Sequence, residues 1–402
     1  MNKGASPDRI TNRRKTREVA VGNLVVGGDH PIRVQSMTTE HTEDLEKTAR
    51  QVAALEEAGC EIIRVTCRSA EAARAIRELK PRMKVPLVAD IHFNYRMALA
   101  AIDAGADKIR LNPGNIGGYD RFREVVDKCK DKGLPMRIGV NSGSLEDELL
   151  QKYGYPSPEA LVESALRHIE YCEGRGYRNV IISIKTTDVP FLVKANRLLA
   201  AQCDYPLHLG VTESGLPGYG HIKSAAGLGA LLVDGIGDTI RVSLSGDPVP
   251  EVAAGFDILK ASGRRFISPE IIVCPGCGRL EVDLPKVANE VQDEIKRRKI
   301  TQAVQVAVMG CPVNGIGESL EADVGLGAGK GKGILYRKGV QIKTVAEKDM
   351  VEEVMKMVED VIAGIEPVPQ EPPTPQDHDD DHDHDHEHAA PRIALPLAAV
   401  GG

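Results

Sequence analysis

A chain of 402 residues, 42% of them hydrophobic, is long enough to bury one large core and a smaller second one. It contains no apolar run of the roughly twenty residues a membrane span needs and no secretory h-region, and its eight cysteines are scattered without a disulfide framework, so a reducing cytoplasm is expected. The formal charge of −7 is gathered at one end: from Glu366 onward nine acidic residues face a single arginine, which leaves the remainder close to neutral and argues against a general nucleic-acid binder.

Residues 1–30 form a basic N-terminal segment (Arg9, Arg13, Arg14, Lys15, Arg17). Over 31–263 one pattern recurs: a short β-branched run, a polar turn, then an amphipathic stretch such as "TEDLEKTARQVAALEEAG". The runs are "PIRVQSMT", "CEIIRVTC", "VPLVADIH", "DKIRLNPG", "PMRIGVNS", "NVIISIKT", "PLHLGVTE" and "TIRVSLSG". Eight strand–helix units predict a parallel (β/α)8 TIM barrel, and the first strand is followed by no G-x-G-x-x-G turn of the open, doubly wound alternative. Residues 264–365 read as a small α/β domain, with a strand entering "CPGCGR", a helix near 283–299, the strand "QAVQVAVMG", the hairpin "GILYRKGVQIK" and a last helix near 347–364. The fold class is therefore α/β, a TIM barrel followed by a small α/β domain that bears cysteines. From 366 to 402 a Pro-rich linker leads into "DHDDDHDHDHEH", a composition expected to stay disordered and at most to hold Zn²⁺ or Ni²⁺ loosely.

Strand residues alternate faces. One phase of the eight runs is apolar and should pack against the helices. The other carries Arg33, Gln35, Arg64, Thr66, Asp90, His92, Arg110, Asn112, Arg137, Asn141, Ser183, Lys185, His208, Thr212, Arg241 and Ser243. Six of these are Arg or Lys, and in that phase only Asp90 opposes them, with Glu213 one residue out of step. Cations facing a barrel interior without counter-charge are costly. An anionic ligand at the C-terminal rim resolves the imbalance, and several phosphates match it better than one carboxylate.

In the second domain Cys274 and Cys277 form a C-x-x-C hook, and Cys311 sits in "MGCPVNGIGE". No histidine lies between His221 and His378, which counts against structural zinc. A [4Fe–4S] cluster tolerates three thiolates because its fourth iron can take an oxygen ligand. Glu318 is the first candidate for that oxygen and Glu281 the second. "GLGAGKGKG" lacks the spacing and the Ser/Thr of a phosphate-binding P-loop. Cys60, Cys129, Cys172 and Cys203 read as small buried hydrophobes, and Cys67 as lining the rim.

"CPGCGR" and "MGCPVNGIGE", placed after a barrel with "ADIHFN", "IRLNPGNIG", "RIGVNSGSL", "SIKTTD" and "TIRVSLSGDP", resemble the 4-hydroxy-3-methylbut-2-enyl diphosphate synthases in their two-domain bacterial form. The resemblance implies reductive opening and dehydroxylation of 2-C-methyl-D-erythritol 2,4-cyclodiphosphate in the non-mevalonate isoprenoid pathway. It also implies ferredoxin or flavodoxin as donor, and a homodimer. The [4Fe–4S] ligands it implies fall on Cys274, Cys277, Cys311 and Glu318. Substrate residues fall on Arg64, Asp90, His92, Arg110, Asn112, Arg137, Asn141, Lys185, Arg241 and Ser243, with Glu213 as proton donor or hydroxyl-positioning group. Two other readings compete on the residues alone. A pterin- or corrinoid-linked methyltransferase would need a less cationic cavity, and an iron–sulfur sensor or electron carrier would leave the cationic barrel without purpose.

Overall fold

The computed structural model describes residues 13–366. The first part of the basic segment and the His/Asp-rich tail lie outside the described residues.

A two-stranded antiparallel hairpin comes first, β1 (Val19–Val21) and β2 (Leu24–Val26). Eight parallel strands follow: β3 (Arg33–Met37), β4 (Ile62–Thr66), β5 (Leu87–Asp90), β6 (Lys108–Leu111), β7 (Met136–Asn141), β8 (Val180–Lys185), β9 (His208–Leu209) and β10 (Thr239–Ile240). Their neighbour order is β8-β7-β6-β5-β4-β3-β10-β9, and a parallel bridge from Ile182 to Leu207 brings β8 back to the chain entering β9. The result is a nearly closed TIM barrel. The last two strands are short in the ladder, but their chains keep pairing beyond it: Arg241 N donates to Leu209 O at 3.0 Å and Thr212 N to Thr186 O at 3.3 Å.

Strand alternation sets the two faces. Val34, Val65, Ile91, Ile109, Leu111, Ile138, Val140, Ile182, Ile184, Leu209 and Val242 are all buried in the layer between sheet and helices. Several helices start on caps supplied by the preceding loop. Ser69 Oγ accepts from Ala72 N ahead of the helix Ala70–Leu79, and Asp188 Oδ1 accepts from Phe191 N ahead of Val189–Ala200. Such caps satisfy amides that the first helical turn leaves open and fix where each strand-to-helix loop ends.

The hairpin β1–β2 closes the N-terminal end of the barrel. Val19, Val21 and Val26 pack against Ile62, Val88 and Ile181, which stand near the starts of β4, β5 and β8. Each fully buried aliphatic side chain of this plug contributes about 1.5–3 kcal/mol. The barrel is thus sealed with hydrocarbon below and is polar above.

The second domain holds a five-stranded sheet in the order β11 (Glu270–Val273), β12 (Gln305–Met309), β13 (Val324–Gly329), β14 (Lys332–Arg337), β15 (Val340–Ala346). The first two pairings are parallel and the last two antiparallel. Helices Leu284–Arg297 and Met350–Ala363 cover one core of this sheet. Two elements were not anticipated, the helix Pro312–Ser319 and strand β13. The glycines of "GLGAGKGKG" let the two pack closely. An added Cβ on Gly315 would stand 2.8 Å from Gly327 Cα, and one on Gly325 would stand 1.9 Å from Ser319 Oγ.

Candidate active site

Parallel register sets functional side chains side by side on neighbouring strands. Asp90 pairs with Arg110 across β5–β6, Arg110 with Arg137 across β6–β7, and Asn141 with Lys185 across β7–β8. Asp90, Arg110, Asn141 and Lys185 sit toward the C-terminal ends of their strands, whereas Arg137 stands near the start of β7.

Asp90 is the hub, 2% exposed. Arg110 Nη1 donates to Asp90 Oδ1 at 2.9 Å, and Arg64 Nε stands 3.6 Å from Oδ2. Arg110 Nη1 also donates to His92 Nε2 at 3.2 Å. With the Asn141 amide oriented so that both its atoms are satisfied, its oxygen accepts from Arg110 Nη2 at 3.3 Å. Burial alone would raise the Asp90 carboxyl, but the Arg64 and Arg110 guanidiniums outweigh it and hold the group well below the usual carboxylate range.

Two glycines make room for the cations. An added Cβ on Gly139 would lie 3.1 Å from Arg110 Nε, and one on Gly210 would lie 2.7 Å from Lys185 Nζ. Both occupy inward positions of the barrel wall, so the missing side chains are where the long cationic ones lie.

Charge is under-compensated. Arg64, Arg110, Arg137, Lys185 and Arg241 share the upper barrel with Asp90 and with Glu251, whose Oε2 stands 3.4 Å from Arg241 Nε. Glu251 comes from the helix Val249–Ala261 and also accepts from Ser36 Oγ and Leu244 N. Burial, then the field of the neighbouring cations, drives Lys185 well below the ordinary lysine value and Arg137 well below the ordinary arginine value. Arg64 is pushed down to about 9 by burial, with Arg241 and Arg110 adding to it against Asp90. Arg137 is buried with its Nε and Nη1 unpartnered. An anion entering here would meet donors already stripped of water, where charge-assisted bonds are strongest.

Other expected residues have more local roles. Asn112 donates from Nδ2 to Ser144 Oγ at 2.6 Å and accepts from Gly114 N at 3.0 Å, which shapes the loop after β6. The carbonyl of Ser243 accepts from Ser214 Oγ. Glu213 is exposed on the loop after β9, touched by Thr187 Oγ1 at 3.3 Å, with a left-handed backbone at φ 52°. Phe93, just past β5, is also left-handed at φ 60° and 71% exposed. Strained non-glycine backbone of this kind gathers at ligand-binding rims.

Two expectations are corrected. Arg33 does not face the anion site: it is the first residue of β3, at the N-terminal end, and pairs with Glu61 at 2.8 Å beside Arg265. Cys67 does not line the rim but is wholly buried on the helix side, its thiol pushed up to about 12 by burial.

Below the site lies a second buried polar layer. Lys108, on the same phase as Arg110, is fully buried and its Nζ has no partner. His208 beside it bonds Thr239 Oγ1 through Nδ1 at 2.8 Å, while its Nε2 and both amide atoms of Gln35 stay unpartnered.

In the second domain Cys274 ends the chain leaving β11, Cys277 is exposed on the following turn, and Cys311 is buried at the N-cap of Pro312–Ser319. Gly310 N donates to Cys274 Sγ at 3.4 Å. A Cβ on Gly310 would stand 2.1 Å from Leu280 Cδ2, so any larger residue there would force the Leu280 side chain to move. Hydrogen bonds from the Arg279 amide and guanidinium lower the Cys277 thiol, and the same guanidinium feels Cys311. Three thiols on adjoining turns, with backbone N–H and a cation beside them, fit thiolate ligands of an iron–sulfur cluster. Among the described residues no three His, Cys, Asp or Glu side chains converge tightly enough for a single metal ion; a cubane holds its thiolates farther apart than one ion does. Glu318 is exposed on the helix rather than on a turn, while Glu281 is engaged by Lys330 N at 3.0 Å. Among the described residues no hydrogen bond or ion pair joins these cysteines and glutamates to the barrel site.

A TIM barrel whose mouth carries more cations than it can neutralise defines an enzyme for a multiply anionic substrate. Two family models cover most of the chain: the GcpE TIM-barrel domain over residues 16–256 and the GcpE protein C-terminal domain over 270–360. The chain belongs to the GcpE family. It is 51% identical over 350 residues to a 4-hydroxy-3-methylbut-2-en-1-yl diphosphate synthase (flavodoxin) of Clostridium perfringens, covering 87% of this chain and all of the relative. It is likewise 51% identical to the Bacillus subtilis enzyme of that name, covering 88% and 93%. Among solved structures, a sialic acid synthetase from Leptospira borgpetersenii matches 71% of this chain and 98% of its own at 12% identity and a TM-score of 0.46.

Proposed function

We propose that this chain catalyses the reaction its relatives are named for, making 4-hydroxy-3-methylbut-2-en-1-yl diphosphate from 2-C-methyl-D-erythritol 2,4-cyclodiphosphate. In that conversion one ring carbon–oxygen bond breaks, a hydroxyl leaves as water and a carbon–carbon double bond forms. Two electrons and two protons are consumed. The observation that carries the reading is the Arg64–Asp90–Arg110 array with Arg137, Lys185 and Arg241 around it, too cationic to stand without a polyanion.

The residues divide the work by position. Arg110, Arg137, Lys185, Arg64 and Arg241 bind the two phosphates, and Asp90 holds Arg64 and Arg110 in place. His92, Asn112, Asn141 and Ser243 supply neutral hydrogen bonds at the rim. Glu213, exposed above β9, would hold a proton at the leaving hydroxyl or position that hydroxyl. Cys274, Cys277, Cys311 and Glu318 would hold a [4Fe–4S] cluster, which when bound supplies the electrons singly from reduced flavodoxin. Of the two carboxylates considered, Glu318 is supported because Glu281 already accepts from Lys330 N.

The cytoplasm and a homodimer complete the reading. No helix among the described residues is long and apolar enough to cross a membrane. A second copy is supported by an apolar groove of about 550 Å³ between the helices Tyr219–Val233 and Val249–Ala261, floored by Ala225, Gly229, Ala253 and Ala254.

The test is titration of the cyclodiphosphate into anaerobically purified protein. Arg110→Ala and Arg137→Ala should each weaken binding by about 1.5–3 kcal/mol, the worth of a charged hydrogen bond, with iron content unchanged. Normal affinity in both variants would remove the substrate assignment.

A further inference from the structure

β3 lies between β4 and β10 in the barrel wall, so the residue at its C-terminal end is flanked by Arg64 on one side and the chain bearing Arg241 on the other. That residue is Met37, directly in register with Arg64. Arg64 Nη2 and Nε donate to Met37 Sδ at 2.8 and 3.0 Å, and Arg241 Nη1 stands 3.6 Å from the same sulfur.

We propose that Met37 is a positioning residue for the diphosphate, its thioether aligning the Arg64 and Arg241 guanidiniums without neutralising them. The proposal rests on the diphosphate reading above. The two guanidiniums repel each other across one strand, and each has its own carboxylate partner, Asp90 for Arg64 and Glu251 for Arg241. A carboxylate between them would align them but cancel the charge the substrate needs. A thioether is a weak, polarisable acceptor with no net charge. It gives each guanidinium a preferred direction and leaves its charge free for the incoming phosphates, which hold the stronger bond.

Three substitutions separate this role from simple packing: Met37→Leu, Met37→Gln and Met37→Glu. Binding is read by calorimetry with the cyclodiphosphate and, separately, with inorganic pyrophosphate, after thermal melting has shown each variant folded. Leucine keeps the volume and loses the acceptor, so Kd should rise roughly three- to tenfold, as expected for a lost neutral hydrogen bond. Glutamine keeps a neutral acceptor and should stay within about threefold of wild type. Glutamate should be weakest of all, by about a hundredfold, because it pairs with the arginines. A packing role gives the opposite order for the neutral pair, with leucine nearest wild type, and that order overturns the proposal. If wild type binds pyrophosphate but not the cyclodiphosphate, the substrate assignment fails and the pyrophosphate series alone decides Met37. If wild type binds neither, both fail.

Discussion

Arg110 Nη1 donates to Asp90 Oδ1 at 2.9 Å, from adjacent strands whose register sets the two residues side by side. This buried pair holds the cationic array in shape before any substrate arrives. Arg64 leans on the same carboxylate, so Asp90 compensates two guanidiniums at once.

Asp90→Asn should therefore destabilise the barrel by about 3–5 kcal/mol, the cost of stranding buried charge. Because the folded carboxyl titrates below its unfolded value, this contribution is fully present above an unfolded pKa of about 3.9 and is lost only as pH falls below it. Chemical denaturation at neutral pH reads the effect directly. Added pyrophosphate should return part of the loss, since it supplies the missing negative charge. A variant as stable as wild type would mean the arginines do not depend on Asp90.

Lys108→Met should stabilise the protein, by about 1–4 kcal/mol, because a buried amine without a partner is replaced by hydrocarbon of similar length. Burial, with Arg137 and Arg64 nearby, depresses the folded lysine well below 10.5. The unfolded chain then binds the extra proton, so stability rises with pH between the folded and unfolded values and the penalty is full below that window. The gain in melting temperature should accordingly shrink as the pH is raised from neutrality towards 10.5. A gain that does not change with pH would place the proton elsewhere.

Much of this arrangement was legible in the sequence, and the reason is periodicity. Alternation along eight short runs separated Val65 from Arg64 and Ile109 from Arg110, and parallel register did the rest. Met37 and Lys108 lie on the same inward phase and could have been read from it. Glu251 could not, since it reaches Arg241 from a helix after the last strand and no local pattern marks it. The hairpin β1–β2 has three-residue strands, too short to show alternation. Strand β13 was hidden because half of "VGLGAG" is glycine, a residue that strands disfavour unless something packs closely on them. Here the helix Pro312–Ser319 does.

Acid should expose the buried histidine. Burial, then the charges of Arg137, Lys185 and Lys108, keep His208 neutral well below the usual 6.5. As pH falls through 6.5 the unfolded chain takes a proton that the folded one refuses, so stability is lost. Between pH 6.5 and 5.5 wild type should lose about 1 kcal/mol more than His208→Gln. Equal slopes for the two proteins would show that His208 is charged in the fold.

Gly310→Ala should cost iron rather than fold. The new Cβ would stand 2.1 Å from Leu280 Cδ2 and 3.3 Å from Leu284 Cδ2, so the apolar packing beside the two cysteine turns must shift. Iron and sulfide per chain should drop, with the barrel's melting unchanged. Leu280→Ala placed on top should restore part of the iron by removing the clash. Full iron in Gly310→Ala alone would show that the turns tolerate that shift.

The most direct measurement is anaerobic turnover. Iron-replete protein, reduced flavodoxin and 2-C-methyl-D-erythritol 2,4-cyclodiphosphate are mixed, and product is followed by mass spectrometry against flavodoxin oxidised. The account predicts one 4-hydroxy-3-methylbut-2-en-1-yl diphosphate for every two electrons consumed, and little product from Arg110→Ala at the same iron content. Wild-type protein that carries its full iron, binds the cyclodiphosphate and still releases no product would contradict it.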